Sequence, residues 1–144
     1  MVDLDGALAG QSVNASVFFS VAKHTNLLVE VGGGIRSMET IEAYIEGGIR
    51  RVILGSAAIG NPELVAQAAA AFGDRVAVGI DARNEMVSGS GWTQDSAIHY
   101  LDMAKRMEEA GVKTLIYTDI SKDGTLSGPN PVSYTHLDVY KRQG

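Results

Sequence analysis

Cysteine is absent from the 144-residue chain, which excludes a disulfide scaffold, a thiolate metal site and a cysteine nucleophile. Proline occurs 3 times beside 17 glycines, so the glycines read as local turn and binding devices rather than low complexity. Basic residues are scarce: 12 Lys and Arg stand against 17 Asp and Glu, a net charge of −5 that argues against a nucleic-acid surface. No apolar run approaches the ~20 residues of a membrane span. Residues 1–10 hold two aspartates and no Lys or Arg, unlike a secretory signal. These absences imply a soluble cytoplasmic chain with no nucleic-acid or membrane partner. What remains, 45% hydrophobic and 20% charged residues, is ordinary globular material with length for one domain.

Short apolar runs alternate with amphipathic segments. Strands are expected at Val2–Leu4, Leu27–Val31, Arg51–Leu54, Val76–Ile80 and Thr114–Tyr117. They are rich in Val, Ile and Leu and mostly lack alternation, as in a parallel sheet buried on both faces. Ser37 is an N-cap before Met38, Ile41, Tyr44 and Ile45, and Gly47-Gly48 closes that helix. Asn61-Pro62-Glu63 opens another. Asp95 or Ser96 can cap a helix through Ile98, Leu101, Ala104 and Met107, and Asn14 begins a weaker one. Successive βα units give an open doubly wound sheet or a barrel. Five strands are too few for a closed (β/α)8 barrel.

In both architectures the strand C-termini carry the site. The second strand runs into Gly32-Gly33-Gly34-Ile35-Arg36-Ser37 and the third into Gly55-Ser56. Bare amides ahead of helices suit a phosphate, and the same residues also suit ordinary tight turns. Asp3, Asp81 and Asp123 are candidate acid–base carboxylates; Asp5 and Asp119 fit loop capping. Trp92 fits either a hydrophobic lid or a stacking surface. His24, His99 and His136 lack metal-ligand spacing.

The strings VDLDGA (2–7), VGGGIRS (31–37), VILGSAA (52–58), GIDAR (79–83), GW (91–92) and YTDISKDGTLSGPN (117–130) occur in order. Together they closely resemble the ProFAR isomerase family, the aldose–ketose isomerases of histidine biosynthesis. The resemblance implies an α/β (β/α)8 barrel, here an incomplete one of about five strands over residues 1–131. It implies an Amadori rearrangement of a small substrate with two phosphates, no metal or organic cofactor, and a monomeric parent. It gives Asp81 the role of general acid to the ribose ring oxygen and places Asp123 near the substrate's centre. Asp3 matches the family's second-strand position. Gly34, Gly55 and Ser56 match one of two phosphate sites, to which the turn itself adds Gly33; Trp92 matches the tryptophan over the aminoimidazole carboxamide, and Arg36 and Arg83 supply polar contacts.

The family's first-strand general base and second phosphate site have no counterpart in this sequence, so the 144-residue chain is expected to be inactive alone. Residues 132–144, ending in SYTHLDVYKRQG, show no helix pattern and are expected to be a non-native tail. Two related enzymes remain as alternatives, the cyclase subunit of imidazole glycerol phosphate synthase and an isomerase also serving tryptophan synthesis. DLDGA and LGSAA favour the isomerase over the cyclase. A phosphate-binding half-barrel without turnover is the non-enzyme alternative.

Overall fold

A computed structural model describes residues 1–89, 94–122, Thr125 and Gly128. The chain enters through one parallel bridge, Val2 against Gly32, rather than the strand expected over 2–4. Asp3 ends it by capping a helix, α1 (Leu4–Ala9), with its carboxylate on the Gly6 amide. Helix α2 (Ala15–His24) begins after Asn14 as expected; the Asn14 carbonyl accepts from the Val17 amide, while its side chain donates to Asp3 and Asp5 rather than capping. Strand β1 (Glu30–Gly32) begins later than expected, leaving Leu27 and Leu28 exposed.

The next two units follow the sequence signals closely. Ser37 caps α3 (Met38–Glu46) by accepting from the Thr40 amide. Strand β2 (Arg51–Leu54) leads into a short unexpected helix, α4 (Ser56–Gly60). Asn61 accepts from the Leu64 amide to cap α5 (Pro62–Phe72), with proline in the first turn where its missing N–H costs nothing. A 3-10 turn (Gly73–Arg75) then feeds β3 (Val76–Arg83).

The hairpin β4 (Met86–Gly89) and β5 (Gln94–His99) was not expected. It accounts for the extra residues after Asp81 and moves the next helix start. Ser96 donates to the Val87 carbonyl across the hairpin, so residues 94–99 are held in strand pairing. Helix α6 (Tyr100–Glu109) therefore starts at His99, whose Nδ1 accepts from the Leu101 amide, and not at Asp95 or Ser96. Strand β6 (Leu115–Asp119) completes the described elements.

The parallel order is β1-β2-β3-β6, with Glu30 opposite Arg51, Val52 opposite Val76 and Val78 opposite Leu115. β6 flanks Ala82 through Asp119, so β4, which pairs Ala82 with Val87, takes the other side of β3 beyond the end of β2. The sheet is open, not closed into a ring. Val52, Leu54, Val76, Val78 and Ile80 are buried in one core with Ile41 and Ile45 of α3, Leu64 and Val65 of α5, and Met103 and Met107 of α6. The alternate residues Ile53, Gly79 and Ile116 are half-buried and line a cavity. Burial on both faces, expected from the lack of alternation, holds at Val76, Ala77 and Val78 of β3, while nearer the strand C-termini one face is only half-buried.

Arg75 ties the N-terminal ends of the strands to the helix layer. Its guanidinium donates to the Ile45 carbonyl in the last turn of α3 and to the Ile49 and Arg50 carbonyls just before β2. The Ile45 carbonyl also accepts from the Gly48 amide, so the guanidinium chiefly serves the Ile49 and Arg50 carbonyls. Arg75→Ala should therefore cost ~1–3 kcal/mol, against at most ~1 kcal/mol for Arg50→Ala, whose partner Asp74 is exposed. Urea unfolding of the two variants checks the ranking.

Candidate functional site

The open face of the sheet lines a cavity of about 670 Å³. Its rim is built at the strand C-termini, because all four parallel strands point the same way. Gly33 and Gly34 follow β1, Gly55 and Ser56 follow β2, and Asp81 lies near the end of β3; all five line this cavity. α1 contributes Leu4, Ala7 and Leu8 to one wall, and the hairpin contributes Val87, Ser88 and Gly89 to another.

The two glycine turns differ in why they are glycine. Gly33 has φ +104°, and an added Cβ would stand 2.3 Å from the Asp3 carbonyl oxygen. Gly34 has φ +72°, and its Cβ would stand 2.6 Å from both the Gln11 and Gly6 carbonyl oxygens. Packing alone requires glycine at both. Neither amide has a hydrogen-bond partner among the described residues. An added Cβ at Gly55 meets nothing within 4 Å. That bare backbone opens onto the cavity, directly before the unpaired first amides of α4.

Asp81 is half-buried and does not end its strand, which continues to Arg83 and the hairpin. Its cross-strand partner in register is Thr118 of β6. Residues directly opposite one another share a face, and both line the cavity. Thr118 is the site residue that sequence reasoning missed. Its signal was the period-two step from Ile116, which places both on the cavity side. Asp119, the next residue, turns away: its carboxylate accepts from the Ser121 amide and hydroxyl, the Asx turn expected for it.

Asp3 has a different environment from the one expected. It is 1% exposed and is not among the cavity-lining residues. One carboxylate oxygen accepts from the Gly6 amide and the Asn14 side chain, each at 2.8 Å. The other accepts from the Val13 and Asn14 amides at 2.8 and 2.9 Å. Burial pushes the carboxyl pKa up, but hydrogen bonds from Asn14, Val13 and Gly6 outweigh it and hold it at about 2. Tyr44, bonded to the Ser12 hydroxyl at 2.5 Å, has its phenol pKa raised by burial, with the Asp3 charge adding to it.

Arg36 is exposed, with its guanidinium over Gly10 at the end of α1, and Arg83 is exposed at the end of β3. Neither lines the cavity. Trp92 and Asp123 lie outside the described residues, as does His136. Among the described residues, no group of three or more His, Cys, Asp or Glu side chains could hold a metal, and no helix is long and apolar enough to cross a membrane.

Two outcomes follow from this geometry. Gly33→Ala should cost at least ~2 kcal/mol, from backbone strain and a clash with the Asp3 carbonyl, whereas Gly55→Ala should stay within ~1 kcal/mol. Chemical denaturation separates them. The Asp3 carboxyl lies below its ordinary 3.8, so its stabilisation is complete above that value and lost as pH falls from about 4 towards 2. The loss is about 2 kcal/mol, read as the difference between wild-type and Asp3→Asn stability curves across that window.

A family model described as "Histidine biosynthesis protein" matches residues 1–140. Over 130 residues the chain is 52% identical to 1-(5-phosphoribosyl)-5-((5-phosphoribosylamino)methylideneamino)imidazole-4-carboxamide isomerase of Listeria welshimeri, covering 90% of this chain and 54% of that protein. It is 53% identical, with the same coverage, to a protein of the same name from Clostridium botulinum. The chain therefore spans about half the length of the curated relatives it matches.

Proposed function

The chain belongs to the family of histidine biosynthesis proteins, and on that premise we propose that it is part of an aldose–ketose isomerase converting ProFAR to PRFAR. One observation carries this reading. A carboxylate, Asp81, and bare amides at Gly34, Gly55 and Ser56 converge on one cavity rim from three adjacent parallel strands.

In this reading the Gly34 and Gly55–Ser56 turns hold one terminal phosphate, where unpaired N–H groups meet an anion without a charged side chain. Holding the phosphate fixes the attached ribose across the cavity floor. Asp81 then gives its proton to the ribose ring oxygen as the C1–O bond opens. The ring oxygen leaves as a hydroxyl, and C1 is left as the carbon of an iminium. A base on the far side of the sugar removes the C2 proton, giving an enolamine; this takes up a proton at C1 and loses the C2 hydroxyl proton, leaving the C2 ketone. Thr118, level with Asp81 across the β3–β6 pair, has the hydroxyl to orient either the acid or the opened sugar. Asp123 near the centre and Trp92 over the carboxamide retain the roles their motif positions imply. Arg36 and Arg83 act, if at the substrate, from outside the cavity lining.

The 144-residue chain alone binds phosphate but lacks turnover, because acid without an opposed base forfeits ~10²–10⁴ in rate and a single anchor forfeits positioning as well. In a longer protein spanning the relatives' length, Asp81→Asn should lower turnover of ProFAR at least ~100-fold while substrate affinity stays within about tenfold. Turnover near that of the unmodified protein would refute the acid assignment. Parallel assay on the substrate of the matching tryptophan-pathway isomerase separates the single- from the dual-substrate reading.

A further inference from the structure

Asp3 is a buried carboxylate that the proposed chemistry does not use. It joins three segments that are separate in sequence. Its amide donates to the Gly32 carbonyl at 2.7 Å, its carbonyl accepts from Ala7, and its carboxylate gathers the amides of Gly6, Val13 and Asn14. The loop between α1 and α2 is thereby folded back onto the start of α1. The Gly33–Gly34 turn rests on the atoms so arranged. Gly33 lies against the Asp3 backbone, and Gly34 against the carbonyls of Gly6 and Gln11. No side chain separates the turn from this seat.

We propose that Asp3 is a positioning residue for the anion-binding turn: its carboxylate holds residues 3–14 as the platform that fixes the Gly33 and Gly34 amides towards the cavity. The residue acts through the turn and does not touch the ligand. Four donors, the amides of Gly6, Val13 and Asn14 and the Asn14 side chain, hold the carboxylate in place. The charged and titratable groups around it are Asp5, which shares the Asn14 side-chain amide, and Tyr44 from α3. A residue needed simply to cap α1 would require one acceptor on Gly6; the reach to Val13 and Asn14 is what the platform adds.

This rests on the anion reading of the turn, and the test keeps the two apart. Amide ¹⁵N relaxation and an inorganic phosphate titration would be run on the 144-residue chain and its Asp3→Asn and Asp3→Ser variants. Serine can cap Gly6 but is too short to reach residues 13 and 14. The expected result is order parameters at Gly33 and Gly34 falling from ~0.85 to below ~0.6 in both variants, with α5 unchanged. Phosphate-induced shifts at Gly34 should need at least ~10-fold more phosphate, with those at Gly55 and Ser56 less affected. Rigid Gly33 and Gly34 amides in Asp3→Ser would overturn the proposal and leave Asp3 a helix cap. A wild-type chain insensitive to phosphate, with the loosening still seen in the variants, would support the positioning role and refute the anion reading. If both Asp3 variants lose the α5 signals, Asn14→Ala, which removes one donor to the same carboxylate, should loosen Gly33 and Gly34 to a smaller degree; an unchanged turn there overturns the proposal.

Discussion

Everything at the cavity depends on parallel pairing of β1, β2, β3 and β6. Parallel strands deliver their C-terminal ends to one rim, and a strict period of two sends alternate side chains to opposite faces. The core takes Val52, Leu54, Val76, Val78 and Ile80 on one face. The same pleat then obliges Ile53, Gly79, Asp81, Ile116 and Thr118 to line the other. Slipping β3 by one residue would turn Asp81 towards the helices, where an unpaired carboxylate is prohibitively costly. Hydrophobic burial on one side therefore sets the chemistry on the other.

The helical units were legible because their signals are local. Ser37 and Asn61 each accept from the amide three residues on, and a glycine follows α3 and α5 at the cap. β2 and β3 were legible as compact β-branched runs. The β4–β5 hairpin was not, since Met86 to His99 mixes small and polar residues without a clean alternation. Its pairing is decided by contact with β3 at Ala82 and Arg83, a tertiary effect. The turn at Asn84 and Glu85, both at positive φ, carried no glycine to announce it.

At the cavity, Gly33-Gly34 and Gly55-Ser56 were legible because each pair follows directly on a strand, and Asp81 because it interrupts the apolar run of β3. Thr118 was missed because threonine has high strand propensity and reads as part of the framework. The misreading of Asp3 has a different origin. An aspartate after an apolar strand looks the same in sequence whether it points into a cavity or bends back to cap a helix. Here the four N–H groups offered by residues 6, 13 and 14 decide it.

That decision also reorders the case for an anion site. Glycine at 33 and 34 is demanded by contact with the backbone of residues 3–11, so glycine there is not in itself a sign of a ligand. Gly55 has no such demand, and its open space faces the cavity. Of the two turns, Gly55-Ser56 is therefore the one whose bare backbone suits an anion, and Gly34 joins it because the two turns share one rim. A turn with unpaired amides is useful to an anion only if it is already rigid, since ordering it on binding would cost entropy. Rigidity at Gly34 cannot come from side chains it does not have. The surface beneath it is the backbone of residues 3–11, gathered by the Asp3 carboxylate, which does not line the cavity.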